Sequence, residues 1–85
     1  MASYSLFLKR SAAKELEAVP LKDRRRLVAR MQGLAVEPRP PNVQKLSGAE
    51  KYRIRQGDYR HLYTIDDADR SVVIVRIGHR GDVYR

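Results

Sequence analysis

Pro38-Arg39-Pro40-Pro41 divides this 85-residue chain into two parts with different periodicities. Proline lacks the backbone N–H a helix needs, and its ring disfavours helical geometry in the residue before it. The run must therefore be a stiff extended connection that no helix or central strand can cross. Apolar residues recur at helical spacing before it and alternate as in strands after it. The fold class follows from that switch: helices from one part must cover a sheet made largely by the other.

Tyr4 to Leu8 alternates imperfectly and is rich in strand-favouring types, so it reads as a first strand. Ser11 is then expected as the N-cap of a short helix, without a capping box because Lys14 follows three residues later. Ala12, Leu16 and Val19 form that helix's apolar stripe, and Pro20 ends it or opens the next. A second helix is expected from about Leu21 to Val36, with Leu27, Val28, Met31, Leu34 and Ala35 on its inner face. Gly33, worth roughly 1 kcal/mol less than Ala in a helix, should loosen the last turn. Arg24, Arg25, Arg26 and Arg30 fall mostly off the stripe, as a solvated face or an auxiliary contact to RNA backbone.

After the prolines, residues 42–50 read as irregular, with a Ser47-Gly48 turn. Tyr52-Arg53-Ile54-Arg55 alternates cleanly as a second strand. Gln56-Gly57-Asp58 is a hairpin turn, and Tyr59 to Ile65 a third strand. Asp66, Asp67 and Asp69 turn the chain into a fourth strand, Val72 to Ile77, which Gly78 should end. Short turns make these last three strands an antiparallel meander. The expected fold is α+β: an N-terminal strand and two-helix hairpin packed on a small antiparallel sheet of about four strands, all one domain.

Composition narrows the function classes. Without cysteine, disulfides and thiolate metal sites are excluded, which suits a reducing cytoplasm. MASYSLFLKR is too short in apolar residues for a secretory signal, and no window approaches the roughly 20 of a membrane span, so a soluble cytoplasmic protein without membrane contact is expected. Net charge is +8, and 13 of the 18 basic residues are arginine, whose planar fork matches phosphate oxygens in pairs. Nucleic acid and an acidic protein partner are both open on composition alone.

Strand alternation puts Arg53 and Arg55 on one face, opposite Tyr52 and Ile54, with Arg60 just across the hairpin. Lys45, Lys51 and Arg76 extend the basic set as candidate RNA contacts. In the fourth strand Val73, Val75 and Ile77 should share one face, and Val72, Ile74 and Arg76 the other. His79, Arg80 and Tyr84 then fall on a loop or tail. Tyr59, Tyr63 and His61 read as core, and the aspartates as turn residues. No His/Asp/Glu set has metal-ligand spacing, no glycine-rich phosphate loop or Ser/His/Asp grouping occurs, and no cofactor is called for. Convergent guanidiniums could stabilise the charge of a phosphodiester transition state, with His79 or Tyr84 handling a proton or Tyr84 stacking on a base. That is the chemistry of metal-independent RNA cleavage by a 2′-hydroxyl.

At these residues the chain resembles the RelE/ParE toxin superfamily, on the RelE side. The resemblance rests on Leu46-Ser47-Gly48, Tyr52-Arg53-Ile54-Arg55, Gly57-Asp58-Tyr59-Arg60 and Gly78-His79-Arg80-Gly81-Asp82-Val83-Tyr84. It implies a toxin of a type II toxin–antitoxin system that cleaves messenger RNA in the A site of the 70S ribosome. It also implies a co-encoded acidic RelB-like antitoxin that holds the toxin in a hetero-oligomeric complex. By position, Arg53 and Arg55 stand where RelE toxins carry catalytic lysines. Arg60 and Arg80 match arginines at the scissile phosphate, and Tyr84 matches a C-terminal tyrosine needed for cleavage. Arginine holds its proton far more tightly than lysine, so a general-acid role does not transfer to Arg53 or Arg55. His79 is the candidate to compensate. The ParE branch shares the fold but poisons DNA gyrase and generally lacks this arginine and tyrosine set; that activity, and an inactive antitoxin- or RNA-binding module, are the alternatives.

Overall fold

The computed structural model describes residues 3–46 and 51–79; the Ser47-Gly48 turn, Arg80 and Tyr84 lie outside them. In chain order come β1 (Ser5–Leu8), α1 (Arg10–Glu17), α2 (Leu21–Leu34), β2 (Gln44–Lys45), β3 (Lys51–Gln56), β4 (Tyr59–Asp66) and β5 (Ser71–His79). The strands form one sheet in the order β1-β5-β4-β3-β2. β1 runs parallel to β5, which the α1–α2 crossover allows, and every other pair is antiparallel. The fold is α+β, as expected, with five strands among the described residues rather than about four. The fifth is β2, two residues inside the segment expected to be irregular, held by Gln44 opposite Arg53 and Lys45 opposite Tyr52. Two residues are too few to display alternation.

One face of the sheet carries the core. Leu27, Met31 and Leu34 of α2, each at most 2% exposed, and Ala12 of α1 pack on Tyr52, Ile54, Tyr63, Ile65, Val72, Ile74 and Ile77. Each large side chain so buried is worth about 1.5–3 kcal/mol. Val28, predicted to face inward, is only half-buried and lies outside this cluster. No helix among the described residues is long and apolar enough to cross a membrane.

The predicted Ser11 cap is not one. α1 begins at Arg10 with Lys9 at the N-cap position and no side-chain cap. The Lys9 N–H still pairs with the Ile74 carbonyl 3.0 Å away, while the Lys9 carbonyl already accepts from the Ala13 N–H at 2.9 Å. The chain passes from strand to helix within one residue, and Ser11 falls inside the first turn. α2 ends at Leu34, where the Ala35 and Val36 N–H groups bond three residues back in a tightened final turn.

β5 departs furthest from the sequence pattern. Gly78 does not end it; Gly78 still pairs with Arg60, and His79 with Tyr59. The predicted faces are also reversed in part, because Leu62 pairs with Arg76 and Tyr63 with Ile74, leaving Val75 without an opposite residue. This bulge shifts the two-residue period by one, so Val72 and Ile74 join Ile77 in the core. The Glu15 carboxylate of α1 accepts the Ile77 N–H at 2.9 Å, just past the bulge.

The proline connection is fastened at two points. The buried Tyr63 hydroxyl donates to the Pro38 carbonyl at 2.8 Å. Arg39 donates from Nε to the Tyr52 hydroxyl at 3.0 Å, and its two terminal nitrogens reach the two oxygens of Asp67 at 3.1 and 2.9 Å. Tyr4 closes the group by donating to the same carboxylate at 2.7 Å. Arg39 and Tyr4 together hold the Asp67 carboxyl below its usual pKa, against a small opposing effect of burial. The connection therefore delivers Asn42 and Gln44 to a set place beside β3.

Candidate nucleic-acid interface

The β3–β4 hairpin places the basic side chains. Gly57 takes the left-handed conformation the turn needs, with φ 62°. That turn sets the register in which Arg55 lies directly opposite Arg60 and Arg53 opposite Leu62. By alternation these residues face away from Tyr52, Ile54 and His61. Like charges directly opposite each other destabilise an antiparallel pair. Arg60 is nevertheless 7% exposed, a degree of burial unusual for arginine.

The result is a cleft of about 330 Å³ lined by Arg30, Asn42, Gln44, Arg53, Arg55 and Arg60. Among the described residues four guanidiniums and two carboxamides line it, without a carboxylate. The volume suits a small polar ligand. Arg53 donates to the Gln44 side chain across the β2–β3 pair, so β2 orients one of these cations.

Of the residues singled out in the sequence, the structure gathers Arg53, Arg55 and Arg60 at the cleft. Lys51 shares their face by alternation but does not line it, and exposed Lys45 lies opposite Tyr52 on the edge strand. Arg76 turns to Glu15, with Nε 3.9 Å from the carboxylate, and is not part of the cleft. His79 is on the last turn of the ladder rather than on a tail. Alternation from Arg60 and Gly78 sets it on the other face, where its ring meets Tyr59 edge-on at 5.3 Å. Arg30, Asn42 and Gln44 were not predicted to belong together. Arg30 did carry a signal, lying three residues after Leu27 and four before Leu34, beside the buried stripe rather than opposite it.

Beneath the cleft, on the core side, His61 is fully buried and neither ring nitrogen has a hydrogen-bond partner among the described residues. Burial, reinforced by the nearby Arg30 charge, lowers its pKa from 6.5 to about 4. Burial, then Tyr52, pushes the Tyr63 hydroxyl above its ordinary range, with Arg39 and Arg30 pulling the other way. Both groups are neutral near pH 7, so neither supplies a counter-charge to Arg30.

The model of one protein family, the ParE toxin of the type II toxin–antitoxin system parDE, matches residues 6–84. The chain belongs to that family of toxins. Within the wider RelE/ParE superfamily its solved relatives include RelE proteins. The RelBE2 toxin–antitoxin complex of Mycobacterium tuberculosis contains a chain 31% identical, with a TM-score of 0.80 over 92% of this toxin and 99% of that chain. The isolated RelE toxin of E. coli is 26% identical, with a TM-score of 0.82 over 96% of this toxin and 92% of that chain. Toxin RelG of M. tuberculosis is 47% identical over 45 residues, 53% of this toxin. That match spans about half the length of RelG, 49%.

Proposed function

We propose that this toxin is a ribosome-dependent endoribonuclease that cuts messenger RNA in the A site, and that a cognate RelB-like antitoxin neutralises it. The observation that carries the reading is the cleft itself: Arg30, Arg53, Arg55 and Arg60 converge with Asn42 and Gln44, with no lining carboxylate among the described residues. Such a site suits a phosphodiester, whose equatorial oxygens gain charge during 2′-hydroxyl attack and are stabilised by preplaced donors. Arg55 and Arg60 would take the phosphate oxygens while Arg53, held by Gln44, orients the chain. In keeping with the resemblance, Arg80 completes the set and Tyr84 stacks on a base or carries a proton. His79 supports them by fixing the end of β5 against Tyr59, and Lys45, Lys51 and Arg76 act as outlying RNA contacts. The RelBE2 relative, solved as a toxin–antitoxin complex, supports the antitoxin partner.

The test maps cleavage sites on a translated message with and without ribosomes. Codon-linked cuts that require ribosomes are expected, and Arg80→Ala should abolish them while retaining antitoxin binding. The match to the ParE model favours a second reading, a gyrase poison. Gyrase-dependent DNA breaks without RNA cuts would establish that reading and overturn the first.

A further inference from the structure

We propose that Arg30 of α2 binds a second phosphate of the RNA, flanking the one held by the strand arginines. The inference rests on the cleft being an RNA site. Arg53, Arg55 and Arg60 come from adjacent strands, and Arg55 and Arg60 face each other directly. Arg30 comes from a different layer and reaches the cleft from its helical side. It also lines a second cleft, of about 240 Å³, between α2 and the proline connection, with Leu34, Glu37, Pro40 and Ile54. The cation therefore stands where the cationic site continues into a largely apolar one with Glu37 at its lining, an order of charged and apolar surface that successive phosphates and bases of a single strand would require.

Among the described residues no hydrogen bond or ion pair reaches the Arg30 guanidinium, and the carboxylate that shares its second cleft is that of Glu37. The Arg30 Nε is fully buried with no hydrogen-bond partner among the described residues, so part of its hydration has been lost. Buried polar atoms are rarely left in this state. The nearby groups on the core side are His61 and Tyr63, both neutral near pH 7. An arginine remains charged under all ordinary conditions, so it cannot relieve the cost by losing its proton. An anion at its exposed nitrogens would relieve it, and a phosphate oxygen pair fits the guanidinium fork. A stem that merely packs along α2, with its head in water, is the contrasting structural role.

The experiment measures binding of a fluorescent 2′-O-methyl tetranucleotide, which cannot be cleaved, across a salt series. Each phosphate contact to a single strand contributes about 0.7 to the slope of log affinity against log salt. Arg30→Gln is expected to lower the slope by roughly that amount, and Arg55→Gln likewise. Arg30→Lys keeps the charge but not the fork, and is expected to weaken binding at an unchanged slope. A normal slope and affinity for Arg30→Gln, with Arg55→Gln impaired, would overturn the Arg30 subsite and leave the cleft reading standing. Normal binding by both would overturn both. Thermal melts verify folding. If Arg30→Gln does not fold, Arg30→Lys decides: binding as tight as the wild type refutes the phosphate fork.

Discussion

Tyr63→Phe isolates the bond that fastens the proline connection to the sheet. The substitution removes one oxygen and leaves the ring, which is fully buried and stacks on Tyr52 at 5.7 Å. A hydrogen bond contributes about 0.5–1.5 kcal/mol net, and orphaning a buried partner costs about 1–3 kcal/mol. The Pro38 carbonyl loses a donor at 2.8 Å, so a loss of about 1.5 kcal/mol is expected. For a domain of this size that corresponds to a Tm lower by about 6–12 °C. Circular-dichroism melts and urea titrations measure it, with an unchanged m value showing that only stability has moved. The pH dependence supplies a second arm. Folding raises the Tyr63 pKa, so above about pH 10 the unfolded chain releases a proton that the folded chain retains. Wild-type stability must then fall with rising pH through this group, while Tyr63→Phe lacks that loss and the difference between them narrows. A Tm within 2 °C of wild type at pH 7, allowing roughly 4–8 °C per kcal/mol, would refute the fastening role.

His61 makes the opposite prediction at acid pH. Its folded pKa is about 4 against 6.5, so stability is complete above pH 6.5 and falls as pH drops toward 4, by roughly 3 kcal/mol in all. His61→Leu should remove most of that acid sensitivity in urea titrations at pH 4 and 7; equal acid loss in both proteins would exclude His61 as its source. Glu15 tests the bulge: Glu15→Ala should cost about 1–2 kcal/mol by freeing the Ile77 N–H, and Glu15→Gln clearly less because an acceptor oxygen remains. Equal losses would assign the role to the Arg76 ion pair instead.

Much of the site was legible because hairpin geometry is local. Alternation in Tyr52-Arg53-Ile54-Arg55, a glycine at the turn and Arg60 beyond it suffice to place three cations on one face. His79 was misplaced because Gly78 looked like a strand end, whereas the ladder to Arg60 and Tyr59 holds both residues in β5. Glycine weakens a strand, but paired backbone on a neighbour overrides that preference. The sequence leaves Arg30 open between a solvated face and an auxiliary RNA contact, because a helix pattern shows which side is buried, not which partner stands at its margin.

The amino-acid order by itself settled the local matters. The proline run separates helices from strands, the two apolar stripes choose the inner faces of α1 and α2, and the aspartate and glycine turns set the antiparallel meander. These depend on residues within a few positions of one another, where periodicity and backbone preference act directly. Tertiary structure decided the long-range matters. β1 pairs with β5 from the far end of the chain, β2 exists only because β3 offers it a ladder, and the Val75 bulge reverses which valines enter the core. The cleft depends on the same kind of contact. Arg30 meets the hairpin arginines only when α2 lies on the sheet, and Asn42 and Gln44 join them only when Tyr63 and Asp67 hold the proline connection in place. Such contacts rest on packing and pairing between distant segments, which no local period encodes.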